Sequence, residues 1–280
     1  MVSSYKIYMK RLKQVTEKAK EKYKKLLIPY IVAGDPNQAT SLALMHGLVN
    51  VGADILELGI PFSDPSADGP VIQQGAERSL AKGTTLDDVL ALTRSFRKTD
   101  DDTPVVLMGY LNPIERMGYA EFAKNARSAG VDGVLVVDMP PEEAPELSSL
   151  LYQEGLDTIF LVSPTTPLER AETIVRNCSG WLYYVSLKGV TGAALTDYGS
   201  VEKSIQQLRE LTDLPVVIGF GIRDASSARA MADLADGVVI GSALVGKIAE
   251  LPDDERQSQQ NIAKTVALIG EVRKAIDYIK

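Results

Sequence analysis

Short apolar, β-branched runs alternate along this chain with longer stretches in which apolar residues recur at helical spacing. The runs cover 26–33, 54–60, 104–110, 133–139, 158–163, 181–187, 215–221 and 237–243. Their hydrophobicity is continuous rather than alternating, which predicts strands buried on both faces, as in parallel sheets. Pro104 and Pro215 open two of the runs, where a missing N–H costs least. Between them, Leu86, Val89, Leu90, Leu92 and Phe96 form a helical stripe. Thr84 and Thr85 precede it, each with an aspartate three residues on, Asp87 and Asp88, which is a capping pattern. A last helix is predicted from about Asp254 to the end, with Ile262, Val266, Ile269, Val272, Ile276 and Ile279 on one stripe. Tyr5, Tyr8, Leu12, Val15 and Ala19 predict an extra amphipathic helix within 1–25, laid against the rest. Eight strand–helix repeats with no linker or break in composition predict an α/β fold, a single (β/α)₈ TIM barrel domain over residues 1–280. An open doubly wound sheet is the alternative. It would show a G-x-G-x-x-G fingerprint after the first strand, where this chain reads Ala33-Gly34-Asp35-Pro36.

Length and composition fit that picture. A chain of 280 residues, 45% hydrophobic, matches one barrel with a large core. Acids outnumber bases, 37 to 30, which argues against a nucleic-acid partner, since phosphate backbones select basic surfaces. No apolar run approaches the roughly 20 residues of a membrane span, and the lysine-rich start lacks the apolar core of a secretory signal. The lone Cys178 cannot form an intrachain disulfide, so a reducing, cytoplasmic setting is expected. Cys178 and the lone His46 are far apart in sequence and read as structural residues, which leaves no His/Cys zinc set and no Cys–His pair.

In such a barrel, chemistry is expected at the C-terminal ends of the strands. The second strand carries Glu57 within Ile55-Leu56-Glu57-Leu58-Gly59-Ile60. Alternation puts Glu57 on one face with Ile55 and Gly59. If that face is the barrel interior, desolvation raises the carboxyl pKa and poises it for proton transfer; the alternative is an outward glutamate paired at the helix layer. The loop that follows is rich in Pro, Gly and Asp. Asp68, between Ala67 and Gly69, suits either a ligand contact or a turn and helix cap, whereas Asp64 before Pro65 reads as turn chemistry. The last two strands end in Gly219-Phe220-Gly221 and Gly241-Ser242. Glycines there let backbone N–H groups approach a phosphate, and Ser242 adds a hydroxyl at a possible helix start; tight turns are the plainer reading. The segment from Lys188 to Ala194 is hinged by Gly189 and Gly192 and precedes a helix expected near Ser200, as in a lid over a site.

The run LELGIPFSDPSADGP, with Gly34-Asp35-Pro36, GVTG, GFGI and GSAL in order along nearly the whole chain, resembles the tryptophan synthase alpha subunit family. The resemblance implies cleavage of indole-3-glycerol phosphate to indole and glyceraldehyde 3-phosphate, a retro-aldol reaction of tryptophan biosynthesis that needs neither Schiff base nor metal. It places the general acid/base on Glu57 and the indole N–H partner on Asp68. Phosphate-binding positions fall on Gly192, Gly221, Gly241 and Ser242, with Phe220 alongside. Indole-pocket positions fall on Tyr30, Met108, Tyr110, Leu135 and Leu161, and Tyr183 stands near Glu57. The sequence departs from the family pattern at Leu187, where many members carry arginine, and at Tyr30, where some carry phenylalanine. The family's partner is a beta subunit, which holds pyridoxal phosphate and receives indole in an αββα complex. No cofactor is implied for this chain. The loops bearing Asp64 and Asn112 would face the beta subunit. Three other readings share the same residues: a sugar-phosphate isomerase or epimerase, a silent barrel that only activates a partner, and a stand-alone lyase that releases free indole. Intact Glu57 and Asp68 argue against the silent barrel, and the sequence shows no metal set or Schiff-base lysine for the first.

Overall fold

The computed structural model describes residues 10–185, 198–219, 221–251 and 259–277. Eight parallel strands close into a barrel in chain order: β1 (Leu26–Val32), β2 (Leu56–Gly59), β3 (Val105–Gly109), β4 (Gly133–Val136), β5 (Asp157–Val162), β6 (Leu182–Val185), β7 (Val216–Gly219) and β8 (Gly237–Ile240). The first strand pairs with the second through Tyr30↔Glu57 and with the last through Leu26↔Gly237, which shuts the ring. Each strand falls on one of the eight apolar runs. Successive side chains point to opposite faces of a strand. Ile55, Val106, Leu135, Ile159 and Val217 pack inside the barrel, whereas Leu56, Leu58, Leu107 and Ile218 pack outward under the helices. Both faces are dry, which is why the runs show no alternation.

The helices are α1 (Arg11–Glu21), α2 (Gln38–Asn50), α3 (Pro70–Ala81), α4 (Leu86–Phe96), α5 (Leu111–Met117), α6 (Tyr119–Ala129), α7 (Pro145–Gln153), α8 (Leu168–Asn177), α9 (Tyr198–Leu211), α10 (Ala225–Leu234), α11 (Ser242–Ile248) and α12 (Gln259–Asp277). The capping box predicted before Leu86 forms between Thr85 and Asp88, and the stripe behind it is buried. In α12, Ile262, Val266, Ile269, Val272 and Ile276 are buried as predicted; Ile279 lies outside the described residues. The helix expected near Ser200 begins at Tyr198. Helix α3 follows the Pro-, Gly- and Asp-rich loop after β2. It starts on Pro70, pre-set for the first helical position, and has Gly75 at its centre, which approaches Val245, Val32 and Asp35 too closely to admit a side chain.

The extra N-terminal helix is present, described from Arg11 onward; Tyr5 and Tyr8 lie outside the described residues. Leu12 is buried in the barrel interior with Ile159 and Trp181, so α1 plugs the N-terminal mouth. Charged groups fasten it. Lys10 pairs with Asp157 at 2.8 Å, and Asp132 accepts from Arg11 Nε, Arg97 Nη2 and the Val105 N–H, each at 2.8 Å. Arg97 and Asp132 are nearly fully buried, so neither charge can turn to water. Removing one partner of a buried pair costs about 3–5 kcal/mol. Asp132→Ala is therefore expected to lower unfolding free energy by about that amount, measured by urea denaturation. Arg11→Ala, at the more exposed end of the network, should cost roughly 1–2 kcal/mol; a midpoint for Asp132→Ala equal to wild type would refute the fastening role.

Candidate active site

A cavity of about 360 Å³ opens among the C-terminal ends of the strands. Glu57 forms part of its floor. The side chain is on the interior face of β2, with the residue 1% exposed, so the outward alternative does not hold. Neither Glu57 oxygen has a hydrogen-bond partner among the described residues. Burial, reinforced by the nearby charge of Asp68, pushes its pKa up to about 8, so the carboxyl holds its proton at neutral pH.

Two tyrosines flank it. Tyr30 and Tyr183 lie across Gly59 and Gly219, and a Cβ on either glycine would collide with the ring above it. The glycines thus let both rings lie flat against the strands and line the cavity beside Glu57. Their buried phenols are raised well above the ordinary value, first by desolvation and then by the carboxylates; for Tyr30 the Asp68 charge is the larger of these, for Tyr183 the Glu57 charge. Both hydroxyls stay protonated.

Asp68 reaches the same cavity from the loop between β2 and α3. It does not cap α3, whose N-cap is Gly69. Instead its carboxylate accepts from the Tyr110 hydroxyl at 3.0 Å, and that hydroxyl accepts from the Ala67 N–H at 3.1 Å. Gln73 on α3 donates to the Asp68 carbonyl at 2.8 Å, fixing the backbone too. Desolvation raises the Asp68 pKa, and the Tyr110 hydrogen bond opposes the rise. Behind the loop, Arg78 of α3 makes a bidentate pair with buried Asp35, two contacts of 2.8 Å, tying α3 to the end of β1.

The cavity is also lined by Gly221, at φ 78°, and by Gly241 with Ser242, where β8 turns into short α11. The structure therefore brings together Tyr30, Glu57, Asp68, Met108, Tyr183, Gly221, Gly241 and Ser242 in one wall. Tyr110 stands behind Asp68 rather than in the wall. Leu135 and Leu161 pack in the barrel interior next to the cavity without lining it. Gly192 and Phe220 lie outside the described residues, as does the segment with Leu187 and Lys188. Ile72, Val71, Val239 and Arg223 also line the cavity and were not read from the sequence. Val71 and Ile72 carry no signal because apolar residues early in a helix read as packing, and Val239 none because an apolar residue mid-strand reads as core. Asp64 and Asn112 are exposed on the rim.

The sequence profile of the family described as "Tryptophan synthase alpha chain" matches residues 16–276. The chain is 54% identical over 269 residues to the tryptophan synthase alpha chain of Laribacter hongkongensis, covering 96% of this chain and 100% of that one.

The chain belongs to the tryptophan synthase alpha chain family.

Solved structures agree with this. The tryptophan synthase alpha subunit of Legionella pneumophila superposes with a TM-score of 0.88 at 46% identity, covering 97% of this chain and 100% of that chain. A chain of Mycobacterium tuberculosis tryptophan synthase in its aminoacrylate-bound form gives 0.84 at 31%, covering 96% and 100%. Among the described residues of this alpha-chain homologue, no group of three His, Cys, Asp or Glu side chains could hold a metal ion, and no helix is long and apolar enough to cross a membrane.

Burial of Glu57 has a signature in stability. Its folded pKa lies above the value in the unfolded chain, so its contribution is fully present below the unfolded pKa and is lost as pH rises towards about 8. Glu57→Gln removes the titration. Wild type should therefore lose stability relative to Glu57→Gln between about pH 4.5 and pH 8, by up to roughly 1.4 kcal/mol per pH unit. Urea denaturation of both proteins across that range checks it; parallel curves would show that Glu57 is ionised in the fold.

Proposed function

We propose that this chain cleaves indole-3-glycerol phosphate to indole and glyceraldehyde 3-phosphate, with Glu57 and Asp68 as its catalytic pair. The observation that carries the assignment of residues is one cavity lined both by two carboxyl groups and by the Gly221 and Gly241–Ser242 turns. An indole fits against the apolar walls from Tyr30, Met108 and Ile72. Its N–H points to Asp68, whose carboxylate is held in place by Tyr110. The phosphate takes the glycine turns and the Ser242 hydroxyl, with Gly192 and Phe220 completing that set.

The reaction breaks the bond between indole C3 and the glycerol side chain. C3 must gain a proton, so that the ring leaves as neutral indole, and the adjacent glycerol hydroxyl must lose one as it becomes the aldehyde. Glu57, protonated in the empty site, gives its proton to C3 and takes back the hydroxyl proton. The carboxyl ends as it began. Positive charge grows on the indole nitrogen when C3 is protonated, and an ionised Asp68 beside the N–H stabilises it. Desolvation strengthens both effects, because few competing dipoles remain.

The chain is further proposed to deliver indole to a pyridoxal-phosphate-dependent beta subunit in an αββα complex, the cofactor belonging wholly to that subunit. Exposed Asp64 and Asn112, on the loop after β2 and at the start of α5, lie on the rim that would meet it. Indole release from indole-3-glycerol phosphate, with and without a tryptophan synthase beta subunit, tests both parts. Wild type should be active. Glu57→Gln and Asp68→Asn should each lose at least about a hundredfold in kcat, the low end of general acid–base contributions. The beta subunit should raise wild-type turnover by more than about tenfold, equivalent to about 1.4 kcal/mol of barrier. Fast turnover unchanged by the partner would make the chain a stand-alone lyase, and no indole under either condition would remove the reaction.

A further inference from the structure

The cavity has a charge problem that the proposed substrate makes worse. The acidic and basic side chains lining it, among the described residues, are Glu57, Asp68 and Arg223. Glu57 holds its proton at neutral pH, so the ionised Asp68 just proposed is the anion among them, and the chain carries a net charge of −7. A phosphate monoester enters this site as a dianion. Backbone N–H groups and the Ser242 hydroxyl can hydrogen-bond to it, but their partial positive charges offset only part of a dianion. Arg223 is the one cation in the described lining, and it follows Gly221 and Ile222 after the end of β7, in the lining that also holds Gly241 and Ser242.

The surroundings of Arg223 leave its guanidinium available. Ile222 is buried and anchors the segment, while Arg223 itself is exposed. Its backbone is held by an N–H donated to Ser227 Oγ at 3.0 Å. The acid next to it in sequence, Asp224, is engaged elsewhere. Its carboxylate caps α10, accepting from the Ser227 N–H and the Ser227 hydroxyl, each at 2.8 Å. Asp224 lies close enough for its own pKa to be lowered in part by Arg223, yet the two form no ion pair within contact distance. Arg223 is thus a tethered backbone whose cationic head has no ion-pair partner among the described residues, at the cavity wall. A guanidinium offers a planar fork that matches two phosphate oxygens and keeps its charge at any working pH.

We propose that Arg223 is the charge partner of the substrate's phosphate, pairing with it beside the turns at Gly221 and Gly241–Ser242 that line the same cavity. The proposal rests on the reading of the substrate as a phosphate ester. Arg223 is a binding residue and takes no part in proton transfer: it follows β7, whereas Glu57 stands on β2 and Asp68 on the loop after it, and a guanidinium keeps its protons at any working pH. Its contribution is made at an exposed site, so it is modest and salt-sensitive. The site discriminates in charge: it favours the phosphorylated side chain over free glyceraldehyde or indole alone.

The test uses the full chain with glycerol 3-phosphate as a probe, its affinity measured by calorimetry for wild type, Arg223→Gln and Arg223→Lys at low and at physiological salt. The same proteins are assayed for cleavage of indole-3-glycerol phosphate in the presence of the beta subunit. Arg223→Gln is expected to weaken glycerol 3-phosphate binding about five- to tenfold and to raise KM by a similar factor, with the effect on KM rather than kcat. Arg223→Lys should recover part of the loss, and the salt dependence of binding should flatten in Arg223→Gln. Affinity for indole should not change. Equal glycerol 3-phosphate affinity in wild type and Arg223→Gln would overturn the proposal, as would a loss confined to kcat. The affinity measurement does not depend on turnover. Phosphate-ester binding that falls in Arg223→Gln, in a wild type that releases no indole, would support Arg223 and overturn the assigned reaction instead.

Discussion

A charged carboxylate in a dry interior costs several kcal/mol unless something pairs with it, and nothing among the described residues pairs with Glu57. The group meets this cost by holding its proton, and the rest of the site follows from keeping it dry. The barrel supplies apolar neighbours on the interior face of every adjoining strand. The rings of Tyr30 and Tyr183 cover the flanks, and Leu12 of α1 stops water from entering below. A wetter Glu57 would ionise at neutral pH and could no longer act as an acid. The same dryness explains why two phenols beside it remain neutral.

Asp68 is treated differently, and the contrast comes from where it is mounted. Glu57 sits on a strand and has no freedom of position. Asp68 sits on a loop, where a side chain could wander by the ångström or so that ruins orientation. The structure compensates with hydrogen bonds: Tyr110 to the carboxylate, Gln73 to the carbonyl, and the Asp35–Arg78 pair holding α3 against β1. The Tyr110 hydrogen bond also favours the charged form of Asp68 and opposes the rise that burial causes, whereas nothing among the described residues hydrogen-bonds to Glu57. Two carboxyl groups in one cavity are set apart by strand against loop.

Much of this is legible in the sequence where a residue violates its local context. Glu57 stands out because an acid interrupts an apolar run, and the parity of Leu56 and Leu58 settles which way it faces. The eight strands are legible because burial on both faces leaves unbroken hydrophobic runs. Asp68 is less so, since Asp before Gly suits a helix cap equally well; only the coordinates show Gly69 as the cap and Tyr110 as the partner. Helix α3 has a weak signal because Pro70 and Gly75 suit loops as well, although each has a specific place in the helix. Leu135 and Leu161 follow the family's indole pocket in sequence yet pack beside the cavity, a distinction of depth that strand periodicity does not encode. Arg223 has no local signal at all: an exposed arginine after a glycine turn becomes notable only once the cavity is known to contain two acids.

Gly59 and Gly219 give the site its floor plan by what they omit. Each missing Cβ is the space in which a tyrosine ring rests, so the width of the cavity beside Glu57 is set by two absent carbons as much as by the side chains present. This has a consequence for how such a barrel can be reshaped. Enlarging a glycine would drive a ring towards the reacting atoms, and close-packed interiors yield poorly to such insertion. Trimming a tyrosine would widen the chamber while leaving the strands undisturbed. Variation in substrate size is therefore easier to reach through the two rings than through the two glycines beneath them.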